Sequence, residues 1–274
     1  MRRAARISGL QFSGLRIAVL AVLTVVLAAC GSDGATETTV VEDESRDPLA
    51  GSIVVSAAAS LTHVFSDIGD AFLAQHPEAR VAFNVGSSGQ LSSQILDGAP
   101  ADVVAFADVA PMEALADADL LAGEPAIFAG NQLVIVTKPG NPEGVTGLAD
   151  LASAGVVSLC AQTAPCGTYA DRVLSAGGVT IPTDRVTRGQ DVRATLTAVT
   201  EGDAVAAIVY VTDAAAAGDS VARVEIPEAD DVIAEYPIAV LSASTSMDVA
   251  VAFDEFVRSE VGQRILGDAG FLEP

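Results

Sequence analysis

The sequence predicts an α/β protein of two lobes, each a mainly parallel sheet flanked by helices, with a ligand cleft between the lobes. Three observations predict it. From Gly51 onward, short β-branched runs alternate with runs of helical period, the pattern of strand–helix–strand units. That stretch is long enough for two such sheets. Junctions rich in Ser, Gly and Ala follow the strand ends, where folds of this kind place ligands.

The elements follow in order. Strands are expected at Ile53–Ser56, Val81–Phe83, Val103–Ala105, Leu133–Val136, Val156–Leu159, Ala206–Tyr210 and Ile238–Leu241. The first helix, Leu61–Gln75, shows Leu61, Val64, Phe65, Ile68 and Phe72 on one face. Further helices are expected at Leu91–Leu96, Pro111–Ala118, Thr168–Ser175 and Val192–Val199, with Met247–Leu266 helical in one or two pieces. Lys138-Pro139-Gly140-Asn141-Pro142 reads as a loop. The expected organisation is a first lobe over 51–132, a second over 133–236, and a return to the first over 237–274. Hinges are placed near Gly130–Val136 and Tyr236–Val240.

Arg2, Arg3, Arg6 and Arg16 precede an apolar run, Ile17–Val26, and then Leu27-Ala28-Ala29-Cys30. A basic region, a short apolar core and a small-residue cleavage site read as an export leader over 1–29, shorter than the ~20 apolar residues of a membrane span. Leu-Ala-Ala-Cys resembles a lipobox, which makes Cys30 the lipidated N-terminus of the exported chain; a chance Cys after an ordinary leader is the alternative. Two acyl chains would anchor it to the outer face of the cytoplasmic membrane. The polar, acidic residues 31–50 have no apolar face and read as a tether with about 25 Å of reach.

The formal charge is −22, and without the leader's four Arg, 10 basic residues face 36 acidic ones, giving −26. Nucleic acid is therefore excluded as a partner. Aromatic residues make up 4% with no Trp, which argues against sugar or base stacking. Setting Cys30 aside, Cys160 and Cys166 remain as an even pair in an oxidising compartment. A disulfide is expected; two buried thiols or half a metal site are the alternatives.

Ala57-Ala58-Ala59-Ser60-Leu61-Thr62, Gly86-Ser87-Ser88-Gly89-Gln90, Ala164-Pro165-Cys166-Gly167 and Gly189-Gln190-Asp191-Val192 each open a helix. Helix N-termini expose unpaired N–H groups and carry about half a positive charge each, so four converging would supply about +2 to an anion. Singly, Ser60, Ser87 and Ser88 read as N-caps, and Ser87 with Gln90 fits a capping box. Tyr210 alone reads as core.

Taken in series, Ala57-Ala58-Ala59-Ser60-Leu61, Gly86-Ser87-Ser88-Gly89, Gly98-Ala99-Pro100-Ala101-Asp102-Val103, Gly130-Asn131-Gln132-Leu133-Val134, Gln190-Asp191-Val192-Arg193, Ile208-Val209-Tyr210, Tyr236-Pro237-Ile238-Ala239-Val240 and Gly270-Phe271 resemble the periplasmic molybdate-binding proteins of ABC importers. The resemblance spans nearly all of Gly51 to the C-terminus. It implies the type II periplasmic-binding-protein fold, a lipoprotein form, and a monomer that closes over molybdate or tungstate and delivers it to permease and ATPase subunits. Ser60 and Ser88 would bind through hydroxyl and N–H, Cys166 and Val192 through N–H alone, and Tyr210 through its phenol. No cofactor and no metal beyond the oxyanion's own are implied. Cys166 and Phe106 depart from the family's usual small residues.

Molybdate carries no proton at neutral pH, so its site needs donors only; protonated phosphate rewards an acceptor. Asp191 and Asp102 must then point away, Asp191 as a helix N-terminal residue and Asp102 as a structural one. Most surface carboxylates are screened beyond about 8 Å. An enzyme is not expected: there are only His63 and His76, no Gly-x-Ser-x-Gly, no Ser-x-x-Lys and no metal-ligand spacing. A regulator's ligand-sensing domain would need a DNA-binding helix pair and no leader. Within the binding class, sulfate is the rival.

Overall fold

The structure, a computed structural model, describes residues 49–274. The leader, Cys30 and nearly all of the tether lie outside the described residues.

Among the described residues, ten strands form two five-stranded sheets. The first contains β1 (Gly51–Ala58), β2 (Ala79–Gly86), β3 (Val103–Ala105), β4 (Ala126–Asn131) and β10 (Ala234–Val240), in the order β2-β1-β3-β10-β4. The second contains β5 (Leu133–Thr137), β6 (Val157–Cys160), β7 (Val186–Gly189), β8 (Ala206–Tyr210) and β9 (Ala222–Val224), in the order β7-β6-β8-β5-β9. The chain passes from one sheet to the other through Gln132 alone and re-enters the first sheet at Ala234.

The two-lobed, mainly parallel α/β architecture is as expected, with one strand in each sheet, β10 in the first and β5 in the second, opposing the other four. In the first, β1 pairs parallel with β2 and β3, while β10 runs antiparallel to β3 and β4. In the second, β6 pairs parallel with β7 and β8, while β5 runs antiparallel to β8 and β9. The two crossings between lobes cause this. Each carries the chain into a sheet whose parallel strands run the other way.

The helices are α1 (Thr62–Gln75), α2 (Ser88–Leu96), α3 (Val109–Asp117), α4 (Pro165–Ala176), α5 (Val192–Thr200), α6 (Val211–Ala217), α7 (Met247–Arg258) and α8 (Glu260–Asp268). The apolar face read for α1 is the buried one: Val64, Phe65, Ile68 and Phe72 are at most 2% exposed. Phe65 and Phe72 pack against Phe253 of α7 with ring centroids 6.2 and 5.3 Å apart. Each such ring contributes roughly 1.5–3 kcal/mol of burial. The terminal helix is two pieces because Ser259 breaks it and caps α8, accepting from the Gly262 N–H at 3.3 Å.

On the other face of the first sheet, Phe106 is fully buried with Leu91, Ile95, Met112 and Leu115. Its departure from the family pattern fills the space beneath α2 and α3.

Candidate functional site

The three strands joined by parallel pairing in each sheet end at one place. β1 runs into a 3-10 turn, Ala59–Leu61, that carries Ser60; β2 runs into Ser87, the N-cap of α2; β3 leads to Ala107. From the second sheet, β6 leads to Pro165 and Cys166 at the start of α4, β7 to Asp191 and Val192 at the start of α5, and β8 ends on Tyr210. All of these residues line one cavity between the lobes. The centre of a water-sized sphere has about 10 Å³ to move in, roughly the minimum that holds one small guest.

Ser60, Ser88, Cys166, Val192 and Tyr210 are thus brought together, drawn from both sheets. Three α-helices, α2, α4 and α5, point their N-termini at the cavity, so the expected fourth is replaced by the 3-10 turn, with α1 starting only at Thr62. The dipole contribution is accordingly nearer +1.5 than +2. Ser88 and Val192 are first residues of their helices, and their N–H groups have no intrahelical acceptor. α4 starts at Pro165, three residues earlier than expected. Proline has no N–H, so Cys166 supplies the first free donor of that helix.

Four hydroxyls line the cavity, and each has a proton it can give. Ser88 Oγ accepts the Ala107 N–H at 3.1 Å, which leaves its own proton for a guest. Ser60 Oγ lies 2.9 Å from Tyr236 Oη, and Asn131 Nδ2 donates to that same phenol at 3.4 Å. The phenol accepts from Asn131 and keeps its own proton; when it gives that proton to Ser60, the Ser60 proton is free for a guest. Tyr210 Oη and Ser87 Oγ are buried without any partner. Buried hydroxyls left unpaired cost about 1–3 kcal/mol each, so their presence on a cavity wall marks a place for an absent acceptor. Burial, with Tyr236, Tyr169 and the carboxylates of Asp213 and Asp108 nearby, pushes the Tyr210 phenol well above its usual range. It stays protonated and can only donate to an anion.

The carboxylates of Asp191 and Asp102 are engaged by backbone N–H groups. Asp191 accepts the Ala194 N–H at 2.9 Å and caps α5. Asp102 accepts from Val54 N–H at 2.7 Å and from Ser244 Oγ at 2.6 Å, tying β1 to the β10–α7 segment. Ser87, by contrast, makes no side-chain cap, so its capping box with Gln90 does not form and the hydroxyl is left to the cavity. Sequence reading underrated Ser87, and it missed the supports Tyr236 and Asn131.

Cys160 and Cys166 are disulfide-bonded, with Cα atoms 5.7 Å apart. The bond ties the end of β6 to the first turn of α4. Gly89, in the first turn of α2, faces that loop: a Cβ there would lie 2.5 Å from the Thr163 carbonyl oxygen. His63 is exposed on α1, and His76 stacks near Phe72 with ring centroids 4.7 Å apart. Among the described residues, no cluster of His, Cys, Asp or Glu could hold a metal ion.

Two α/β lobes that meet at a small cavity lined by hydrogen-bond donors are the arrangement of a solute-binding protein. Residues 53–272 match the family model for bacterial extracellular solute-binding proteins, and the chain belongs to that family. Within it, the chain is 39% identical to the molybdate-binding protein of Mycobacterium tuberculosis, over 93% of this chain and 96% of that one. Among solved structures, it is similar to the substrate-binding domain of a candidate molybdenum ABC transporter from Clostridium difficile: 28% identity, TM-score 0.61, covering 81% of this chain and 99% of that chain. The sulfate-binding protein of M. tuberculosis has TM-score 0.71 at 24% identity, over 80% of this chain and 86% of the other, a likeness of fold alone.

Proposed function

We propose that the chain captures molybdate, and tungstate with it, as the extracytoplasmic binding subunit of an ABC importer, and hands it to the importer's permease and ATPase subunits. The observation that carries this reading is the donor-only wall. Ser60, Ser87, Ser88 and Tyr210 offer hydroxyl protons there, Ser88, Cys166 and Val192 offer N–H groups, and the Asp191 carboxylate is engaged elsewhere. A fully deprotonated tetrahedral dianion satisfies such a wall; a protonated phosphate would set its own O–H against donors. Charge-assisted bonds contribute about 1.5–3 kcal/mol each. Five to seven of them, less about 4–15 kcal/mol for association, are compatible with micromolar to nanomolar affinity. The molybdate-binding relatives support the choice of ion.

On this reading the lobes comprise 51–132 with 234–274, and 133–233, and they close about Gln132 and the segment before β10. The protein acts as a monomer, exported and held to the outer face of the cytoplasmic membrane by lipid on Cys30. Sulfate is the second reading, favoured only by its being an equally unprotonated dianion. Calorimetric titration with molybdate, tungstate, sulfate and phosphate tests the proposal. Tight binding of the first two and weak binding of the others is expected; preference for sulfate, or no binding, overturns it. Mass spectrometry of the membrane-extracted chain tests the diacylglycerol on Cys30.

A further inference from the structure

Among the described residues, Asp213 is the one whose carboxylate has a buried oxygen without a partner. It is the third residue of α6, immediately behind Tyr210, and its carboxyl draws on the Tyr210 backbone N–H, the reciprocal contact of an N-terminal acidic residue with its own cap. It also lines a cavity of about 230 Å³ on the far side of the binding wall, which Ser60 shares with the anion cavity. Asp213 thus lies within the wall that carries Ser60 and Tyr210.

We propose that Asp213 is a positioning residue for Tyr210 and that capture of the oxyanion loads a proton onto its carboxyl, making binding proton-linked. The inference rests on the oxyanion reading above. An ionised Asp213 and a bound dianion would repel one another across a buried wall, where salt does not screen them. A proton from solvent, taken up at the unpartnered oxygen, removes the repulsion. The neutral acid still accepts the Tyr210 N–H. Burial raises this acid most, the Tyr210 N–H pulls it down, Asp191 raises it and Arg193 lowers it, leaving it at about 7 in the free protein. A bound dianion raises it further, so protons are taken up on binding above neutrality. Affinity then falls as pH rises through that range, by at most about tenfold per unit.

The groups facing Asp213 are His63 from α1, Asp191 and Arg193 from α5, Asp268 from α8, and the phenols of Tyr210 and Tyr236. His63 is the group whose own proton could mimic the effect.

Titration calorimetry with molybdate at pH 7.5, in buffers of differing ionisation enthalpy, counts the protons exchanged. Wild type and His63→Gln are expected to take up the same fraction of a proton, and Asp213→Asn none, with its affinity flat between pH 6 and 8.5. No uptake by wild type, equal uptake by Asp213→Asn, or loss of uptake in His63→Gln overturns the linkage. A purely structural role would lower the Asp213→Asn affinity equally at every pH, which also overturns it. Absence of binding by wild type to molybdate, tungstate and sulfate alike would instead overturn the oxyanion reading, and this inference with it.

Discussion

Ser60 Oγ and Tyr236 Oη lie 2.9 Å apart although 176 residues separate them in the chain. The turn after the first strand supplies the serine, and the returning strand β10 supplies the phenol. Asn131, at the end of β4, donates to the same phenol at 3.4 Å and to Thr212 Oγ1 of α6 at 2.8 Å. A residue at the crossing between lobes is therefore wired to one that meets the guest. Tyr236→Phe removes the hydroxyl that orients Ser60 while preserving the ring packing against Phe128 and Phe271. Molybdate affinity measured by calorimetry should fall about 2- to 12-fold, the worth of one hydrogen bond.

Tyr210→Phe should separate affinity from stability. The Tyr210 hydroxyl has no partner in the empty protein, so its removal relieves an unsatisfied group. Without ligand, the unfolding temperature should stay level or rise. Affinity should drop roughly 10- to 150-fold with one charge-assisted bond lost. Differential scanning calorimetry with and without molybdate checks both halves.

Gly89→Ala should resist closure. Its Cβ would stand 2.5 Å from the Thr163 carbonyl oxygen, a backbone atom of the other lobe's loop. Steric overlap of this kind costs about 1–3 kcal/mol. An affinity loss of about five- to 150-fold is expected, and small-angle scattering should show a ligand-bound form less compact than wild type.

The stability of the ligand-free protein should carry the signature of Asp213. Its acid sits at about 7 in the folded chain against the ordinary 3.8. With the folded value raised, the neutral acid's contribution is complete below about pH 4 and is lost as pH climbs toward 7. Asp213→Asn should match wild type near pH 4 and exceed it by a few kcal/mol above pH 7. Chemical denaturation of both proteins across that range measures the divergence.

Much of the site was legible in the sequence because its residues sit at strand-to-helix junctions, where local chemistry decides conformation. Ser60, Ser88, Cys166, Val192 and Tyr210 each stand at such a turn. What escaped depends on contacts distant along the chain. The three-residue strand Ala222–Val224 pairs only at a sheet edge, and Ala126–Asn131 contains too many small residues to read as a strand alone. Val186–Gly189, with two exposed residues, has no apolar alternation. Ser87 looked like a cap because its neighbours satisfy that pattern; its freed hydroxyl reflects the cavity beside it. The support given by Tyr236 and Asn131 crosses more than a hundred residues.

The cross-link between Cys160 and Cys166 joins a strand end to the helix whose first available N–H faces the guest, across a separation of six residues. A reduced chain must gather that loop from a broader set of shapes, at a cost of about 2 kcal/mol for so short a ring. Material folded in a reducing cytoplasm and material folded in an oxidising milieu are thus two distinct receptors made from one polypeptide. Purified samples will agree with each other only when their thiol content does.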